Sequence, residues 1–257
     1  MTSETRTLPV LEAGPVEMPF AILNWSEDFT RDTVWNEHSH PFHELLWNER
    51  GASTAVVGPR VWTITPALGV WMPAGTLHSG SAAAGTRCRA SFFGFGTMAP
   101  ISPAPAGVEI TPLLRLLLER LGDTALPAAS RALTEAMVLD VLTPSARELL
   151  VRMPVSDLLR PIADAVRAAP GDRRTLADWA SHLGVSPRTI TRAFNAETGT
   201  SFARWVAAVR ARHAVELLGR GWEIDAVAEE VGYRSASAFG AAFRRATGLT
   251  PGTFRAR

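Results

Sequence analysis

The apolar residues of this chain change their spacing along its length. Over the first 110 positions they come in short runs, at 20–25, 54–57, 60–64, 69–72 and 89–95, separated by Gly and Pro. Runs of this length between turn-formers predict the strands of a small barrel or sandwich. Pro100, Pro103 and Pro105 mark an irregular connection. The spacing then becomes helical. Residues 112–121 carry Leu113, Leu114, Leu116, Leu117, Leu118 and Leu121, and residues 128–142 carry Leu133, Met137, Val138 and Val141. Two helices this rich in leucine need a partner surface: their own barrel, a second copy of the chain, or both. Residues 143–154, with Pro144 and Pro154 at their ends, read as a boundary, and from Ser156 onward the pattern is helical.

The helical half contains a repeat. Leu176, Trp179, Ala180 and Leu183 follow the spacing i, i+3, i+4, i+7, and Ile224, Val227, Ala228 and Val231 follow it again. Each series is closed by a glycine, Gly184 and Gly232, as the tight turn of a helix-turn-helix unit requires. Thr175 with Asp178 predicts a capping box, and Ser186-Pro187 predicts an N-cap followed by proline at the first helical position. In the helix that follows, Ile190, Ala193 and Phe194 fall on one face, and Arg188, Thr191, Arg192 and Asn195 on the other. The second copy buries Phe239, Ala242 and Phe243 and presents Ser237, Gly240, Ala241 and Arg244, after a turn one residue longer. Both copies end in Thr-Gly, at Thr198-Gly199 and Thr247-Gly248. Between them residues 201–218 predict one helix about 27 Å long at 1.5 Å per residue, a strut able to hold two recognition helices about one duplex turn apart.

Residues 175–257 resemble the DNA-binding domain of AraC/XylS-type transcription regulators. The resemblance rests on Ser186-Pro187-Arg188-Thr189-Ile190, Glu197-Thr198-Gly199, Val227-Ala228, Gly232-Tyr233, Ser237-Ala238-Phe239, Phe243-Arg244-Arg245 and Gly248-Leu249-Thr250-Pro251. It implies helix-turn-helix units at about 175–197 and 223–246, with Arg188, Thr191 and Arg192 at base-facing positions and Asn195 beside them. In the second unit Ala236, Ser237, Gly240 and Ala241 stand where longer polar side chains often reach bases. The first unit is therefore expected to supply most sequence discrimination, and the second to anchor phosphates through Arg244 and Arg245.

Charge sharpens the division. The 26 bases, all Arg, nearly balance 25 acids, for a net +1. Residues 1–153 nevertheless hold 11 Arg against 15 acids, and residues 154–257 hold 15 against 10. An acidic front and a basic back predict two domains, the second with an anionic partner. No apolar run is long enough for a membrane span, residues 1–10 show no secretory h-region, and Cys88 alone makes neither an intramolecular disulfide nor a cysteine-based zinc site. These features predict a cytoplasmic protein.

Four of the six histidines lie early, at His38, His40, His43 and His78. His38, His40 and Glu44 share strand parity, whereas His43 does not and is expected to face away. The HxHxxxE spacing over 38–44 and the PxGxxH spacing over 73–78 resemble the two motifs of the cupin superfamily. The second motif is short, since only residues 70–72 separate Gly69 from Pro73. The resemblance implies a small β-barrel with His38, His40, Glu44 and His78 as ligands to a divalent Zn, Ni, Fe or Mn ion. Sensor barrels also hold organic effectors without metal, and that alternative stays open. Trp35, Trp47, Trp62 and Trp71 are candidates for an aromatic pocket wall or for plain core.

The expected fold is a two-domain α+β chain. A cupin-like sensor barrel spans 1–111, a helical dimerisation segment and linker 112–155, and an all-α double helix-turn-helix domain 156–257. The expected function is a homodimeric transcription regulator that binds double-stranded DNA and a small-molecule effector, and has no catalytic role. The competing reading is a metal-dependent cupin dioxygenase or isomerase with an accessory helical domain.

Overall fold

The computed structural model describes residues 3–96 and 99–254. The chain divides into two compact units, residues 1–57 with 62–148 and residues 58–61 with 149–257.

The first unit contains β1 (Glu4–Arg6), β2 (Ile22–Asp28), β3 (Thr33–His38), β4 (His43–Arg50), β5 (Ser53–Val57), residues 62–64 of β6 (Arg60–Ile64), β7 (Leu68–Met72), β8 (His78–Ala82), β9 (Arg87–Phe93) and β10 (Ala106–Glu109). Within this unit one sheet runs β1-β3-β8-β5-β6 and the other β10-β7-β4-β9-β2. Among the described residues no ladder joins one sheet to the other, so the expected barrel is an open pair of sheets. Alternation along β4 sorts its side chains between two environments. Leu45 and Trp47 enter the apolar core, while Glu44 and Leu46 line a cavity on the other face.

Two helices, α1 (Pro112–Leu121) and α2 (Ala128–Val141), follow the strands. Thr111 caps α1 by accepting the Leu114 N–H at 3.2 Å, with Pro112 at the first helical position. Leu114, Leu117, Leu118 and Leu121 pack into the core beneath the second sheet with Ile22, Leu45, Trp71 and Phe93. Of the two expectations for these leucines, packing on their own barrel is therefore observed. The remainder of the apolar surface points outward, with Leu116 63% and Leu133 70% exposed and Leu113 and Met137 beside them.

The second unit holds a short strand, β11 (Leu150–Arg152), then α3 (Arg160–Ala168), α4 (Leu176–Leu183), α5 (Pro187–Thr198), α6 (Phe202–Gly219), α7 (Ile224–Glu230) and α8 (Ala236–Thr247). The α4–α5 pair shares a core of Trp179, Ala180, Ile190 and Phe194 with Trp205 and Val209 of α6. The capping box at Thr175 and Asp178 is present, as is the Ser186 cap, which accepts the Thr189 N–H at 3.1 Å. The repeat extends to single hydrogen bonds. Thr198 Oγ1 donates to Phe194 O at 2.7 Å and Thr247 Oγ1 to Phe243 O at 2.9 Å, and each helix then ends on a left-handed glycine, Gly199 or Gly248.

The longer second turn has a structural counterpart. Gly184 precedes its cap, Ser186, by two residues, and Gly232 precedes Ser235 by three. Gly232 also has a steric reason to be glycine. Its φ is +82°, and a Cβ there would lie 2.8 Å from the Gly171 carbonyl oxygen.

Candidate ligand cavity and nucleic-acid interface

A cavity of about 390 Å³ is lined by residues from both sheets of the first unit. Three imidazoles meet in it, and the nearest ring nitrogens of His38, His40 and His78 all lie within 4.8 Å of one another. His38 ends β3 and stands directly across the ladder from His78 at the start of β8, after a register shift between Trp35 and His38 that re-aims the strand. Glu44 arrives from β4 in the opposite sheet. Its Oε2 is 3.6 Å from His78 Nε2 and 3.8 Å from His40 Nε2. One sequence expectation is corrected in detail, because His38 and His40 do not project from one strand. The strand ends at His38, and His40 reaches in from the β3–β4 connection, held where its carbonyl accepts the Gly75 N–H at 2.7 Å.

Backbone contacts fix the ring tautomers. His38 Nδ1 lies 2.7 Å from Asn36 O and His78 Nδ1 lies 2.9 Å from Thr76 O. A carbonyl oxygen can only accept, so each Nδ1 carries the proton and each Nε2 presents a lone pair. This arrangement prepares histidine for metal ligation. Burial sets the protonation. It pushes His40 and His78 down to about 4, with neighbouring imidazoles contributing and the Thr76 carbonyl opposing at His78. It pushes the Glu44 carboxyl up to about 8. Without an ion His40, His78 and Glu44 are therefore neutral at pH 7, and the 3.6 and 3.8 Å approaches are not salt bridges.

Glu44 Oε2 is buried and has no hydrogen-bond partner among the described residues. A buried polar oxygen left this way carries a desolvation cost that a cation would remove. Donors bound to one first-row ion at about 2.0–2.2 Å lie roughly 3–4 Å apart. The two Glu44–His separations fall in that range, so the residues present fit a divalent ion.

His43 faces away from the cluster. Its Nδ1 accepts the Ala74 N–H at 2.9 Å and its ring stacks on Trp71. Of the four tryptophans named as wall candidates, Trp35 lines the cavity, whereas Trp47, Trp62 and Trp71 are buried in the core. Trp47 has the parity of Leu45, not of Glu44, and so faces α1 and α2. Trp25 and Phe92 also line the cavity and were not singled out from the sequence. For Phe92 the signal lies in the register, since it stands opposite Glu44 on β9, and the sequence does not reveal register.

The second unit presents its two recognition helices differently. On α5, Arg188, Arg192 and Asn195 are exposed. Thr191 is half-buried, and its hydroxyl donates to Pro187 O at 2.9 Å, leaving a methyl group and a lone pair for other contacts. On α8, Ser237, Ala241, Arg244 and Arg245 are exposed, and the space around Gly240 is open. Among the described residues, Arg188, Arg192, Arg244 and Arg245 form no ion pair, whereas Arg174 is tied to Asp172 and Arg212 to Glu216. A count of positive charge in the sequence could not tell free arginines from occupied ones.

Residues 25–139 match the AraC-like ligand binding domain, and residues 179–257 match a helix-turn-helix domain. The chain is 28% identical over 226 residues to the HTH-type transcriptional regulator NimR of Escherichia coli, a match covering 86% of this chain and 82% of NimR. It is 40% identical over 102 residues to the regulator RipA of Corynebacterium glutamicum, covering 40% of this chain and 31% of RipA. The C-terminal domain of AraT, a response regulator from Geobacillus stearothermophilus, is 31% identical with a TM-score of 0.37, covering 39% of this chain and 84% of that one.

The chain belongs to the AraC-type transcription regulators.

The two matched regions coincide with the cavity-bearing sheets and with the repeated helix pairs, so this AraC-type chain is a DNA-binding regulator with a ligand-binding domain. The enzyme reading is set aside, because the family matches and these curated relatives are transcriptional regulators. No helix among the described residues is long and apolar enough to cross a membrane.

Proposed function

We propose that the ligand-binding domain takes its small-molecule effector at a divalent metal ion held by His38, His40, His78 and Glu44, and that occupancy of this site alters DNA binding in a cytoplasmic homodimer. One observation carries the reading. Three imidazoles, two of them with the Nε2 lone pair left by an Nδ1–carbonyl contact, and a buried carboxylate oxygen unpartnered among the described residues converge inside the cavity. Zn, Ni, Fe and Mn all accept this donor set. The exposed apolar face of Leu113, Leu116, Leu133 and Met137 supports association through α1 and α2. On the DNA side, Arg188, Arg192 and Asn195 read base edges with Thr191 in contact beside them, while Ser237, Arg244 and Arg245 hold the backbone. A ligand changes DNA affinity only to the extent that it binds one DNA-binding state better than another.

The test is fluorescence anisotropy on labelled DNA from upstream of the chain's own gene, with protein loaded with zinc or treated with a chelator. The reading expects sequence-specific binding whose affinity differs at least fivefold between the two preparations. It also expects His78→Ala to behave like the chelated protein in both. Identical binding in all arms would remove the metal from the account. Binding no stronger than to unrelated DNA would remove the operator.

A further inference from the structure

We infer that the effector is a small monoanion with a flat apolar body, bound through its anionic oxygen to the ion at the histidine cluster. This rests on the proposal that His38, His40, His78 and Glu44 form a metal centre, and it identifies what that centre receives.

Away from the cluster the cavity's charged lining groups are already paired with each other. Arg6 donates to both carboxylate oxygens of Glu27 at 2.7 and 2.6 Å, and to Glu4 at 2.6 Å. The hydroxyls of Thr54 and Ser81 meet at 2.7 Å, and Ser53 Oγ donates to Asn48 at 3.0 Å. A second ionic group on the ligand would find no free counter-charge there, and burying it unpaired would be costly. Unmet polar capacity is concentrated at Glu44 and the imidazole Nε2 atoms. A ligand with a single polar end, aimed at the cluster, matches this distribution.

Three neutral imidazoles and one carboxylate on a dication leave a net charge of about +1 inside an apolar cavity, where an uncompensated charge is expensive. A monoanion cancels it. A neutral ligand leaves it in place, and a dianion replaces it with the opposite charge.

Trp25, Trp35 and Phe92 with Leu46 and Ile64 supply the remaining wall. Aromatic faces of this kind favour a planar partner. At about 390 Å³ the cavity is at the small end of the range for small-molecule sites, suited to a single ring with a short substituent.

The test uses the full chain loaded with Co²⁺ and three probes: benzoate, its neutral near-isostere benzamide, and acetate, which keeps the anion without the ring. Bound cobalt is measured first. Visible absorption then reports coordination, and titration calorimetry reports affinity. The expected result is that benzoate shifts the cobalt bands and binds at least tenfold more tightly than either other probe. Trp25→Ala, a change at a partly exposed position, should weaken benzoate several-fold and leave acetate unchanged. Benzamide binding as tightly as benzoate would overturn the inference, as would equal benzoate affinity after cobalt is chelated. Bound cobalt with bands that benzoate does not move overturns this inference alone. A chain that takes up no cobalt overturns it together with the metal centre beneath it.

Discussion

Glu44→Gln is expected to make the metal-free protein more stable while weakening its response to metal. The carboxyl is buried, its Oε2 has no partner among the described residues, and burial moves it from an ordinary 4.5 up to about 8. In the unfolded chain it ionises near its ordinary value. Between those two pH values the unfolded state therefore binds fewer protons than the folded one, and metal-free stability falls as pH rises. At 1.36 kcal/mol per pH unit, the 2.5 units between 4.5 and 7 amount to about 3 kcal/mol at pH 7. An amide of the same shape removes this penalty. The melting temperature of the first unit should rise by roughly 5–10 °C in the presence of a chelator. Zinc at about 100 times its dissociation constant then stabilises the wild type by about 2.7 kcal/mol, with a smaller effect on a variant that lacks the anionic ligand, so the variant's advantage closes. The assay is differential scanning calorimetry from pH 6.5 to 8, with and without zinc. A variant less stable than the wild type under chelation would refute the reasoning, as would equal gains from zinc in both proteins.

His40 and His78 act on the acidic side. Both are held down to about 4 against an ordinary 6.5, so the unfolded chain takes up protons first as pH falls through that window, and metal-free stability should decline from pH 6.5 towards 4 in a urea-unfolding series. Arg192→Ala should cost about 1–3 kcal/mol on the preferred DNA site and relax one position of a selected motif, whereas Arg245→Ala should weaken all sequences alike and lower the salt slope by about one. An unchanged selected motif after Arg192→Ala would overturn the assignment of base reading to α5. Gly232→Ala meets the Gly171 backbone and a positive φ together, while Gly184→Ala meets positive φ in open space, so chemical denaturation should show the larger loss at Gly232. Phe194→Ala removes a fully buried ring from the α4–α6 core and should cost about 3–5 kcal/mol.

The helical half was legible almost residue by residue, because its signals are local. Thr175 with Asp178, Ser186-Pro187 and the paired Thr-Gly steps each act within a few residues of themselves, and all form the caps that the spacing predicts. The first half was legible as strands, but their pairing was not. The parallel ladder between β1 and β3 joins residues about 30 positions apart, and nothing in the polar segment Glu4–Arg6 announces it. The ligand types at His38, His40, Glu44 and His78 could be named from spacing, but the turn that carries His40 and the register that sets Phe92 opposite Glu44 are tertiary facts. Trp47 illustrates the same limit. Its parity separates it from Glu44, yet composition alone kept both wall and core open for it.

The account turns on whether this regulator carries a metal in its ligand-binding domain. The most direct measurement is the metal content of the purified full chain after incubation with zinc and removal of free ion, by inductively coupled plasma mass spectrometry. The account predicts about one ion per chain for the wild type and a near-complete loss in His78→Ala, with the circular dichroism spectrum of that variant unchanged. A wild-type chain that retains no ion, or a His78→Ala chain that retains as much as the wild type, would contradict it.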